Sequence, residues 1–107
     1  MADALKVLGQ VAPATTADAV LYTVPAVTAA TISSVVICNT TASAATFRLA
    51  LGVTTTAANC LYFDVSIPAY NTFVTTIGMT LEAARTLNIK TGTANALTFT
   101  AFGVEVT

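Results

Sequence analysis

The chain of 107 residues is 55% hydrophobic and only 8% charged. Its formal net charge of −1 supplies no basic footprint for nucleic acid or anionic lipid. It contains no histidine, so no Ser–His or Cys–His nucleophile pair can be built from one copy.

Residues 1–19 read as an N-terminal arm. Leu5, Val7, Leu8 and Val11 carry a strand-like apolar pattern, but Gly9, Pro13 and the Ala/Thr run to Asp18 weaken it. Residues 20–107 read as the domain proper. Strand signals recur there about every dozen residues, as a sandwich or barrel requires. They are Val20–Val24, closed by Pro25, then Ile32–Asn39, Thr46–Gly52, and Asn59–Ile67, closed by Pro68. Thr72–Leu81, Thr86–Thr91 and Leu97–Val106 complete the series. The predicted fold is all-β: one antiparallel β-sandwich of about seven to eight strands, jelly-roll or immunoglobulin-like.

Alternation assigns the faces. Phe47, Leu49 and Leu51 point in, and Arg48 and Ala50 point out. Leu61, Phe63, Val65 and Ile67 share one face, and Cys60, Tyr62, Asp64 and Ser66 the outward one. Phe73, Thr75, Ile77, Met79 and Leu81 make a stripe opposed by Val74, Thr76, Gly78 and Thr80. In the last strand Leu97, Phe99 and Ala101 give way to Phe102, Val104 and Val106, which predicts a bulge near Gly103. Val35–Cys38 is apolar on both faces, so its strand is central or covered by another subunit. Leu81–Arg85 reads as a loop in which Glu82 and Arg85 stand three apart.

Little chemistry is on offer. Cys38 and Cys60 make no disulfide framework and read as small hydrophobes; with no histidine they cannot complete a four-ligand zinc site. Asn39-Thr40-Thr41 matches a glycosylation acceptor but reads as a polar turn. Asp64 and Glu105 could approach as a carboxylate pair, yet each fits better as a solvated acid or as half of an ion pair with Arg48 or Lys90. The glycines are isolated and cradle no phosphate. The uncharged span from Asp18 to Arg48 is broken by Pro25, threonines and serines, so it is no membrane helix. No signal-peptide block opens the chain. An enzyme is not expected, nor a metal or cofactor. So few charges fit either a surface covered by neighbours or one solvated by threonine and serine hydroxyls, and Tyr22, Tyr62 and Tyr70 suit an interface, where tyrosine is enriched.

The segment YTVPAVTAATISSVVICNTTASAATFRLAL resembles one that recurs in small structural proteins of tailed bacteriophages. The matching residues are Tyr22 to Ala26, Ser33 to Asn39 and Thr46 to Leu51. IPAYNTFVTTIGMTL resembles the central strand of those proteins, and LTFTAFGVEVT their C-terminal strand. The chain differs at Ala84-Arg85, where such proteins often carry Gly-Asp. The resemblance implies a virion protein with a β-sandwich fold, either a head decoration (cement) protein or a piece of a tail fibre, commonly trimeric.

The expected function is therefore capsid decoration: a homo-oligomer that binds the assembled head and clamps neighbouring major capsid subunits. Its location would be the virion, after assembly in the host cytoplasm, with no nucleic acid or membrane as partner. The expected interface residues are Leu5, Val7, Leu8 and Val11 of the arm, with Val36, Tyr62, Tyr70 and Val74. The alternative is a tail-fibre or baseplate module that binds a receptor or glycan through Tyr62 or Tyr70.

Overall fold

Threonine and valine fit a pleated surface, and no segment carries a helical period long enough to compete. In the computed structural model, which describes residues 3–52, 54–76 and 78–107, all regular structure is accordingly strand. The strands are β1 (Asp3–Val11), β2 (Ala19–Thr23), β3 (Ala29–Asn39), β4 (Ala45–Leu51), β5 (Cys60–Ile67), β6 (Thr72–Thr75), β7 (Met79–Leu81), β8 (Thr86–Thr91) and β9 (Leu97–Val106). They form two antiparallel sheets packed face to face as one β-sandwich. Sheet I has the order β1-β9-β3-β6, with β7 also on β3; sheet II has the order β2-β8-β4-β5.

The segment expected as an arm is hydrogen-bonded into sheet I: β1 lies along β9 from Asp3 opposite Val106 to Val11 opposite Phe99. Its inward positions hold it, since Leu8 and Val11 pack on the core. The run Thr72–Leu81, expected as one strand, is two. β6 and β7 both pair with β3, with Gly78 at φ +65 between them. Ile77 lies outside the described residues. β3 is central, as its two apolar faces implied, with β9 on one side and β6 and β7 on the other.

The core fills the space between the sheets, where Phe47, Phe99, Ile32, Ile37 and Leu49 are fully buried. Phe47 of sheet II is its aromatic hub. Its ring lies 5.2 Å from Phe73 and 6.3 Å from Phe99, centroid to centroid, both in sheet I.

Two predicted phases are corrected. β9 does not bulge: Leu97, Phe99, Ala101 and Gly103 are buried in unbroken alternation, and Phe102 faces out. The slips sit in its neighbours. Leu8 in β1 is an extra residue beside the Ala101–Phe102 step, and Ser33 in β3 one beside the Phe102–Gly103 step. Gly103 permits this, because a Cβ there would run into the Thr31 carbonyl oxygen and the Leu8 side chain. In β5 the phase reverses where Asp64 adopts φ +50 and the pairing skips a residue between Val65 and Tyr62. Val65 and Tyr62 therefore face in, and Leu61 and Phe63 face out.

Candidate interaction face

Residues opposed across a ladder share a face of the sheet. The register therefore lays out the outer face of sheet I row by row. Leu5 stands beside Val104, Thr31 and Thr80; Val7 beside Phe102 and Ser34; Gln10 beside Thr100, Val36 and Val74. Thr98, Cys38 and Thr72 form the next row. No charged side chain stands in these rows. Asp3, beside Val106 and Ala29, is at their border. Leu5 is 83% exposed, Val7 52%, Val74 54% and Phe102 37%, and Val36 is half-buried. The Gln10 amide donates to the Thr100 hydroxyl at 3.1 Å, so even the polar residues here partner one another.

The opposite face differs. On sheet II Arg48 donates to Asp64 through Nε at 2.7 Å and Nη2 at 3.1 Å, and to the Thr55 carbonyl through Nη1 at 3.1 Å. Its guanidinium lies 4.0 Å above the Phe63 ring. Lys90 stands opposite Arg48, and the Thr55 hydroxyl donates to Asp18. The Arg48 hydrogen bond holds the Asp64 carboxyl below its ordinary range and lifts Arg48 in turn. Asp64 and Glu105 are not brought together: each is half of its own cluster on a different sheet.

At the β1 border Glu105 ties both sheets. Tyr22 of β2 donates to its Oε2 at 2.5 Å, and Lys6 of β1 to its Oε1 at 3.0 Å. The Tyr22 hydrogen bond, then the one from Lys6, hold Glu105 below its ordinary value; burial, then Glu105, push the Tyr22 phenol up. A carboxylate with a depressed folded value adds stability above its unfolded value of about 4.3 and loses it as pH falls through the folded one. Glu105→Gln is therefore expected to lower the urea midpoint at pH 7, and the gap to wild type should close below about pH 4. An equal gap at pH 7 and pH 3 would contradict this.

Of the expected interface residues, Leu5, Val7, Val36 and Val74 lie together on the sheet I face. Leu8 and Val11 do not, because they turn to the core. Tyr62 is corrected from outward to inward. The reversal at Asp64 packs its ring 5.4 Å from Phe73 and 6.0 Å from Phe47, with its hydroxyl 2.6 Å from Thr75 Oγ1. Tyr70 is 71% exposed, on the turn after β5 rather than on the face, with its N–H donating to the Thr41 carbonyl at 3.1 Å. Phe102 and Val104 belong to the face although sequence reading placed them inside; the unbroken alternation from Leu97 to Gly103 was the signal for it.

The glycosylation-like Asn39 is buried, and its amide nitrogen donates to the carbonyls of Ser43, Ile67 and Pro68. Cys38 and Cys60 are free thiols on different sheets. Among the described residues no pocket opens, and no three His, Cys, Asp or Glu side chains cluster as metal ligands. No family model matches the chain, and neither do curated proteins or solved structures.

Proposed function

We propose that the chain is a structural protein of a phage virion, a head decoration protein that binds the assembled shell through the outer face of sheet I. The observation that carries the reading is that face: four strands wide, with no charge in its rows and with Leu5, Val7, Val74 and Phe102 exposed. Exposed apolar residues side by side on an uncharged sheet face, as Leu5, Val7 and Phe102 are, mark interaction sites. The sequence resemblance supports the same reading. So does the strand order: with β6 and β7 counted as one interrupted strand, it is that of a jelly roll, an architecture found in viral shell proteins and lectins.

The mechanism is mass action. A protein that binds the shell and not its separated subunits stabilises the shell by its binding free energy. Apolar burial contributes roughly 25 cal/mol per Å² before the costs of association, so fit between surfaces decides the affinity.

Gold-labelled antibody against the chain, on phage particles viewed by electron microscopy, tests the location. Label over the whole head supports decoration. Label confined to the tail transfers the chain to a fibre or baseplate, and unlabelled particles overturn the virion reading. The face itself is tested by Leu5→Asp with Val7→Asp. Both side chains are exposed, so the double variant should fold as wild type by circular dichroism yet sediment with heads at least about tenfold more weakly, as two charges forced against an apolar contact require. Undiminished binding would exclude this edge of the face.

A further inference from the structure

Two open sheets have four edge strands, and each edge presents unpaired backbone groups to which another strand can add. Three of the four are interrupted here. β2 is short, slips in register after Val20, and is followed by Pro25. β5 slips twice, with Asp64 in the left-handed region. The far border of sheet I is split into β6 and β7. β1 differs. From Asp3 to Val7 it follows β9 without a slip and contains no proline. Its one cation, Lys6, is engaged by Glu105. Leu5 and Val7 on this edge are exposed.

We propose that this edge pairs with the same edge of a second copy, antiparallel, about a two-fold axis at Leu5. Two observations select that register. Leu5 is the midpoint of the unslipped stretch Asp3–Val7, so an axis there gives the longest symmetric ladder before the Leu8 irregularity. An axis at Lys6 would instead oppose two ammonium groups and bring Leu8 against Ala4; like charges directly opposite are destabilising. The axis at Leu5 sets Asp3 against Val7 and Ala4 against Lys6 of the second copy, and Leu5 against Leu5. The outer faces of both sheets then continue as one surface, and no charged rows are opposed. Such an assembly has an even number of chains, where the sequence resemblance implies three.

The test is Leu5→Cys in a Cys38→Ser, Cys60→Ser background, oxidised with copper–phenanthroline. Opposed residues of an antiparallel pair have Cα atoms about 4.5–5.5 Å apart, within disulfide range. A covalent dimer is expected, while Thr80→Cys, at the other border of the same face, stays uncrosslinked. Sedimentation of the wild-type chain should give the mass of two chains. Leu5→Lys, folded by circular dichroism, should dimerise several-fold more weakly. A monomer at every concentration, a three-chain mass, or equal crosslinking at Thr80→Cys would overturn the pairing. Each measurement uses the isolated chain, so failure here leaves head binding through the face as a separate question.

Discussion

Phe47→Ala should cost about 3–5 kcal/mol, a large share of the whole stability of a domain this size. The side chain is fully buried, and its ring touches aromatic neighbours in both sheets: Tyr62 beside it in sheet II, Phe73 and Phe99 across the core. Deleting it removes transfer free energy and leaves a cavity, and three rings must shift to fill that space. Backbone held in two hydrogen-bonded sheets relaxes little. Urea unfolding followed by far-UV circular dichroism measures the loss. Phe47→Leu, which keeps most of the volume, should lose clearly less. A cost under about 1 kcal/mol for the alanine variant would show that the rings repack without Phe47 and that the core is held elsewhere.

Asn39→Ala should cost about 2–3 kcal/mol, by orphaning buried partners rather than by opening a void. Asn39 ends β3, and its amide nitrogen donates to Ser43 O at 2.9 Å, Ile67 O at 3.1 Å and Pro68 O at 3.2 Å. Its Oδ1 accepts from Thr41 N at 3.0 Å and Thr41 Oγ1 at 2.8 Å. One side chain thus joins the β3–β4 loop to the end of β5. Asn39→Asp separates shape from chemistry, because it keeps the size but points a carboxylate at three carbonyl oxygens. Repulsion and burial favour the protonated form there, so the folded pKa of that aspartate rises above its unfolded value. The variant is expected to be at least as unstable as Asn39→Ala at pH 7. Relative to wild type it should recover as pH falls, since the protonated acid can donate. A penalty independent of pH from 7 to 4 would show that the carboxyl escapes to solvent.

Much of the architecture was legible because alternation and punctuation agreed. Pro25 and Pro68 closed strands where expected, Phe47 and Leu49 faced in, and the doubly apolar Val35–Cys38 announced a central strand. The failures share one cause. Period-two reading assumes that no strand gains a residue, and one extra residue reverses every face beyond it. At Asp64 the backbone enters the left-handed region, which aspartate tolerates better than most residues, so Tyr62 went in and Phe63 out. Around Phe102 there are slips, but β1 and β3 carry them and β9 keeps its phase; a single sequence does not say which of two paired strands carries the slip. The sheet I face was half legible for the same reason. Leu5 and Val7 were named only as part of an arm, together with Leu8 and Val11, and Val36 and Val74 as outward apolar residues, while Phe102 was hidden by a bulge assigned to the wrong strand. Glu105 was recognisable as one half of an ion pair, but its cation is Lys6 of β1 and not the expected Arg48 or Lys90. Its second partner, Tyr22, comes from the other sheet, and no local pattern links the two.

The antiparallel pairing of β1 with β9, in which Asp3 faces Val106, also sets how the domain answers tension. Force applied at those two positions pulls neighbouring strands apart from one end, so their hydrogen bonds rupture in succession, as in a zipper, rather than all at once in shear. Traction applied at Asp3 and Val106 therefore opens the β1–β9 ladder one rung at a time. Load borne across the sheet I face, by contrast, falls on the whole sandwich at once.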